Sequence, residues 1–284
     1  MAELKSYNGY YLWQYIPNTV AAALFTALFA LGTAVVVWRM IRSRAWFCTV
    51  FIIGAILEIG GYAARAVSKD KTDELIPYVI QSTFILVAPA LFAASVYMSL
   101  GRIIRSIGAE SLSIIPVKWL TKIFVCGDVI SFMVQASGAG IQVKANSAQT
   151  GENIILGGLF IQIIMFGLFV VSAAIFHVRM GRHRPRASLE HGTKWEKLMT
   201  MLYIVSVLIM VRSIFRVVEY IMGRDGYPLS HEWTLYVFDA VLMFGVVVLF
   251  AWRFPSDLNP FKTDQENIEI SGRARQGEVI DQHK

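Results

Sequence analysis

The sequence has little charge. Asp, Glu, Lys and Arg make up 16% of its 284 residues, against roughly 25% in an ordinary soluble domain. Cysteine is scarce as well. Cys48 and Cys126 are the two present, and each lies inside an apolar stretch, which argues against a disulfide framework and against a thiolate metal site. The five histidines fall in loops, at the ends of apolar stretches or in the tail: His177, His183, His191, His231 and His283. That distribution argues against paired histidines inside a bundle as haem ligands and against a zinc hydrolase built on histidine and carboxylate ligands. The chain has no G-x-x-x-x-G-K-[ST] loop and no polar region large enough to hold a nucleotide, which argues against an ATP-driven pump. It has no Asn-x-Ser/Thr acceptor, and its first apolar block is too long and begins too late for a cleavable signal peptide. No internal repeat is visible, so the inverted-repeat pattern of many secondary transporters is missing.

Apolar residues, in contrast, are abundant. They make up 56% of the chain, mean hydropathy is +0.54, and they come in unbroken blocks that a soluble fold could not hide. A spanning helix needs roughly 20 mostly apolar residues. Stretches of this kind fall at 17–38, 46–66, 77–100, 117–139, 154–176, 198–222 and 232–252. They are too long, and too uniform in polarity, to be barrel strands. The expected fold is all-α: a seven-transmembrane helix bundle at 17–254, preceded by an extracellular segment at 1–16 and followed by a disordered cytosolic tail at 255–284. That tail is polar, of mixed charge and without apolar periodicity. Tyr7, Tyr10, Tyr11, Trp13 and Tyr15 precede the first span and suit the headgroup level of a membrane.

The net charge of +6 does not signal nucleic acid, because the basic residues sit in short loops between apolar blocks. One set of loops carries Arg39, Arg42 and Arg44, then Arg102, Arg105 and Lys118, then the Arg179–Lys197 cluster, then Arg253 and Lys262. The alternate set carries only Lys5, Lys69, Lys71, Lys144 and Arg224. The richer side is expected to be cytoplasmic, which puts the N-terminus outside and the C-terminus in the cytosol. The plasma membrane is the expected location, with an internal membrane as the alternative.

Ionisable residues within the spans are costly in hydrocarbon, so each is expected to face the bundle interior and find a partner. Glu58 and Arg65 are seven residues apart in the second span, as are Asp128 and Gln135 in the fourth and Glu232 and Asp239 in the seventh. Arg212, Arg216 and Glu219 follow i, i+4, i+7 in the sixth. Each set shares one helix face. Glu58, Arg65, Asp128, Gln135, Arg212, Arg216, Glu219 and Asp239 are therefore expected to line a polar pocket from mid-membrane to the outer face. Asn18, Gln81, Glu232 and Tyr236 are expected at its rim. Structural ion pairing is the plainer use of the same residues. Pro89 is expected to kink the third span. The paired glycines, such as Gly60-Gly61 and Gly157-Gly158, are expected to allow close helix contact.

Seven spans with an outer N-terminus also describe G-protein-coupled receptors, but their usual marks are missing. The third span ends in Leu100-Gly101-Arg102-Ile103, the seventh has no Asn-Pro-x-x-Tyr, and no cysteine pair could bridge the outer loops. The last span also lacks the lysine that a retinal Schiff base needs.

Several strings occur in order on successive spans: Tyr15-x-Pro17-Asn18; Glu58-x-x-Gly61-Tyr62-x-x-Arg65; Gln81 followed by Ala88-Pro89 and Tyr97-x-x-Leu100-Gly101-Arg102; Asp128-x-x-Ser131-x-x-x-Gln135-x-x-Gly138-x-Gly140; Gly157-Gly158 with Gln162; Arg212-x-x-x-Arg216-x-x-Glu219; and Glu232-x-x-x-Tyr236-x-x-Asp239. In these the chain resembles the fungal RTA1-like proteins, the lipid-translocating exporter family, from about Tyr15 to Pro260. The resemblance implies seven spans and movement of lipids or amphiphiles across a fungal membrane, seen as resistance to toxic amphiphiles. The substrates it implies are sphingoid bases, sterol-like toxins or porphyrins. The expected function is thus a transporter of amphipathic lipid-like molecules, without catalysis, cofactor or metal. Its partners would be membrane lipids or amphipathic small molecules. The alternative is a lipid-sensing receptor or regulator that does not itself transport.

Overall fold

The computed structural model describes residues 15, 17–69, 75–142, 148–182, 194–223 and 226–254. The aromatic segment Tyr7–Trp13 and the expected cytosolic tail lie outside the described residues. Within them there are helices and no strands. Seven helices are long: α1 (Thr19–Ser43), α2 (Thr49–Val67), α3 (Leu75–Ser106), α4 (Val117–Gln142), α5 (Ala148–Arg182), α6 (Lys194–Ile221) and α7 (Glu232–Trp252). Six of them are long and apolar enough to cross a membrane. The helix outside that set is α4, which carries Lys118, Lys122, Asp128, Ser131, Gln135 and Ser137 along its length.

The helices run past the expected span limits. α3 continues through Arg102 and Arg105, and α5 through Arg179 and Arg182. The 32 residues of α3 reach about 48 Å at 1.5 Å per residue, more than the roughly 30 Å of hydrocarbon. Apolarity marks where hydrocarbon ends, but helical hydrogen bonding has no reason to stop there.

Neighbours in sequence pack as neighbours in space, and α7 returns to α1, closing a ring in which α3 also touches α6. Successive helices are antiparallel, as their contacts show. Gly61 of α2 lies by Ile85 of α3 and Gly54 by Leu91 and Phe92, while α1 and α7 run the same way, the N–H of Asn18 just before α1 donating to Glu232 at the start of α7. Ser131 in mid-α4 bonds Gly158 of α5, and Gly138 further along α4 lies against Gly151 and Ile155 earlier in α5. The opposite end of the bundle gathers basic residues. Arg39 reaches the carbonyl of Trp252 at 3.1 Å, the Arg102 guanidinium lies 3.9 Å over the Phe47 ring, and Arg179 bonds the carbonyl of Leu112.

Burial runs opposite to that of a water-soluble domain. Leu31, Ile56, Met133, Ile164, Val207 and Val241 point outward from six different helices. Glu58, Arg65, Asp128, Arg212, Glu219 and Asp239 are buried. A soluble protein rarely exposes apolar surface this contiguous or encloses this many charges. The interior is also graded along its length. Toward the basic end it is aromatic and aliphatic: Phe51 stacks on Phe250 with centroids 3.9 Å apart and packs on Phe92 at 4.6 Å. The charges occupy the other half.

Small residues set the close crossings. A Cβ on Gly61 would come within 2.7 Å of the Ile85 side chain. One on Gly158 would meet the Gln135 side chain at 2.6 Å and the Ser131 carbonyl at 3.0 Å. The 2.7 and 2.6 Å approaches are closer than real Cβ atoms make, so α2–α3 and α4–α5 each approach at a spacing that a side chain would oppose.

Candidate functional site

Pro89 lies inside α3, and its missing N–H leaves one carbonyl four residues earlier without its helical donor. That carbonyl belongs to Ile85. Arg212 on α6 supplies the replacement, its Nη2 donating to Ile85 O at 2.7 Å. The same guanidinium donates from Nε to Asp239 Oδ1 on α7. A single buried arginine thereby joins three helices, and the proline provides an acceptor there besides any bend it imposes.

Asp239 has a second cation. Arg216, one turn beyond Arg212, donates from Nη2 to Asp239 Oδ2 at 2.6 Å and from Nη1 to Glu219 Oε2 at 2.9 Å. Both oxygens of Asp239 are therefore held by arginines. The backbone around Asp239 is a π-helical stretch, Tyr236–Val241. Such a widened turn rotates the residues after it relative to those before it. Glu232 and Asp239, seven residues and so about 10 Å apart along the helix, meet different partners.

Glu232 belongs to the rim. It accepts from the Asn18 backbone N–H at 2.9 Å and from Arg65 Nη2 at 2.8 Å. Arg65 also donates to the hydroxyls of Tyr15 at 2.9 Å and Tyr236 at 3.2 Å, and its guanidinium lies 5.4 Å from each ring centroid. The Asn18 side chain caps α1 by accepting from the Val20 and Ala21 N–H groups. This set ties the start of α1, the end of α2 and the start of α7. Beneath it lies an aromatic layer. Tyr62 packs against Phe25, Phe29 and Tyr236, with centroids 5.8, 5.6 and 6.3 Å away.

Glu58 is fully buried, and among the described residues neither of its oxygens has a hydrogen-bond partner. One turn along the same face, the Tyr62 hydroxyl is also unpartnered, as are Arg216 Nε and Gln81 Oε1. Asp239, Arg212 and Arg216 act on Glu58 electrostatically. Buried polar atoms are normally satisfied, so this concentration beside an ion network marks the interior of α2, α3, α6 and α7 as the candidate site.

The fourth helix contributes elsewhere. Asp128 accepts from the Tyr97 hydroxyl of α3 at 2.9 Å, and its other oxygen is unpartnered. Phe124, Phe166 and Phe169 surround Tyr97. Among the described residues no cation pairs with Asp128. Gln135 donates to Ser131 at 2.9 Å and to Gln162 of α5 at 3.2 Å. Of the residues expected in one pocket, Glu58, Arg212, Arg216, Glu219 and Asp239 come together. Arg65 joins Asn18, Glu232 and Tyr236 at the rim. Asp128 and Gln135 face α3 and α5 instead. Tyr62, Tyr97, Ser131 and Gln162 stand in the motif strings without having been singled out. Ile85 could have been found from the position of Pro89. An apolar crevice lined by Val96, Ile103, Leu198, Met201 and Phe250 lies about 20 Å further along α3, in the other half of the bundle. Among the described residues, no three His, Cys, Asp or Glu side chains cluster so as to hold a metal ion.

Comparison with known proteins agrees with the motif strings. The family described as "RTA1 like protein" matches residues 51–261. Protein RTA1 of Saccharomyces cerevisiae is 39% identical over 293 residues, covering 94% of this chain and 92% of its own length. Protoporphyrin uptake protein 1 of the same yeast is 35% identical, covering 86% of this chain and 92% of its own length. The sphingoid long-chain base transporter RSB1 of Saccharomyces cerevisiae is 23% identical, covering 80% of this chain and 69% of its own length. No solved structure matches.

Replacing Arg212 with Met strips Asp239 of one cation and leaves the Ile85 carbonyl bare, so unfolding in detergent becomes easier by about 3–5 kcal/mol. Pro89→Ala restores the missing N–H. It therefore stabilises the Arg212→Met protein more than the wild type, by about 1 kcal/mol. Equal effects of Pro89→Ala in the two backgrounds contradict the link between proline and arginine.

Proposed function

The chain belongs to the RTA1-like family, and on that footing we propose that it is a multi-pass membrane transporter of amphipathic, lipid-like molecules carrying a cationic headgroup. The observation that carries the proposal is the buried network of Arg212, Arg216, Asp239 and Glu219 with Glu58 left over. Ionisable groups at this depth are expensive, and they mark substrate pathways more often than not. A protonated amine would meet Glu58 and Tyr62, while its chain would lie along the apolar half of the bundle. The names of two relatives, a protoporphyrin uptake protein and a sphingoid long-chain base transporter, support a lipid-related cargo and transport in place of sensing. The reading assigns no catalysis to the chain.

The proposed topology has seven spans, with α4 as the fourth. Its position between α3 and α5 and its outward Val129, Ile130 and Met133 support this. The basic end would face the cytosol and the charged interior would open to the outside of, in our reading, the plasma membrane. A reporter fused ahead of Met1 should then be accessible on intact cells. A reporter protected until the cells are permeabilised contradicts that orientation.

Purified protein in liposomes should move a labelled long-chain base across the bilayer, and Glu58→Gln should slow this by about tenfold or more, the equivalent of one charge-assisted contact. Binding of the base without movement would make the chain a sensor. Movement unaffected by Glu58→Gln would remove the headgroup role.

A further inference from the structure

The buried charges can be counted around Glu58. Arg65 is matched by Glu232 at the rim. Arg212 and Arg216 are matched by Asp239 and Glu219. Asp239 is bonded on both oxygens and Glu219 on one, whereas Glu58 is bonded on neither. The surplus carboxyl is therefore Glu58. Asp239 on α7 and Arg212 and Arg216 on α6 are the charged groups that act on it, and Tyr62 is the titratable neighbour on its own helix. The faces that pack on α2 from α3 and α1 bring Ile85, Leu91, Phe92, Phe25 and Phe29, none of which titrates.

With Glu58 neutral the network balances. With Glu58 ionised it holds one uncompensated negative charge out of water, a state that burial penalises heavily. Two partners can remove that charge: a proton, or a cation bound beside the carboxylate. Both need the same oxygens, so they exclude each other. We propose that Glu58 is the exchange site of a proton-coupled transporter, releasing one proton as one monovalent cationic headgroup arrives and taking one back as the headgroup leaves. The net charge of the site is the same in the two loaded states. This keeps both of them affordable at that depth and disfavours the empty ionised state that would uncouple the fluxes. The cargo class is a singly charged ammonium amphiphile. The energy source is the proton gradient, which removes any need for a nucleotide domain. The proposal rests on the transport reading above and adds the coupling ion to it.

The test uses full-length protein in liposomes that enclose a pH-sensitive dye. The probe is a quaternary ammonium amphiphile with a single long chain, which has no dissociable proton and cannot carry one by diffusion. Probe entry should be accompanied by proton exit above the level of protein-free liposomes, and an imposed pH gradient, acid inside, should accelerate entry. Glu58→Gln should lose the proton signal, and Glu58→Asp should keep it. Probe movement with no proton flux in the wild type overturns the exchange and leaves the transport reading standing. A proton signal that persists in Glu58→Gln overturns the assignment to Glu58. Failure of the wild type to move the probe or a long-chain base overturns the transport reading itself. The wild-type flux is informative even if a variant fails to fold.

Discussion

The interior of the bundle depends on one guanidinium. Arg212 completes the hydrogen bonding of α3 at the carbonyl freed by Pro89 and binds the Asp239 carboxylate of α7 from α6. In hydrocarbon an unsatisfied carbonyl and an unpaired carboxylate are each costly, and a single side chain resolves both. Because Arg212 is fixed to backbone on one side, Asp239 has little freedom. Arg216 and Glu219 then follow in register along the next turns of α6. The rim set around Arg65 closes the same half of the bundle from its end.

Two halves with different chemistry result. Aromatic and aliphatic packing around Phe51, Phe92 and Phe250 fills the half near the basic end. The other half holds the ion network and a group of buried polar atoms without partners. An amphiphile has the same division, with a charged head and an apolar chain. A cargo of that kind would find its two ends matched along the axis of the protein, with the closed aromatic layer of Tyr62, Tyr236, Phe25 and Phe29 as the barrier to be opened.

The helices were legible because runs of roughly 20 apolar residues admit few other folds in hydrocarbon. Their ends were less so, since α3 and α5 extend past the apolar runs on arginines. The stripe Arg212, Arg216, Glu219 was legible from its spacing; its two arginines do meet Asp239, and Glu219 bonds Arg216. Periodicity gives a shared face but not the neighbour that face meets. Asp128 and Gln135 therefore share a stripe, as expected, yet it turns toward α3 and α5 and away from the arginines. Glu232 at the rim and Asp239 deeper stand as expected from seven residues of helix, whereas the π-helical turn at Tyr236–Val241 that carries Asp239 has no composition signal of its own. Ile85 was hidden because it acts through its backbone, and only the missing N–H of Pro89 points to it.

A structure determined with a long-chain amine bound is the most direct test of the idea that this charge network receives a headgroup. The amine nitrogen should lie about 3 Å from a Glu58 oxygen, with the Arg212–Asp239 pair intact beside it. Density for the amine confined to the outer, lipid-facing surface, with the interior unchanged, would reduce the network to a structural clamp.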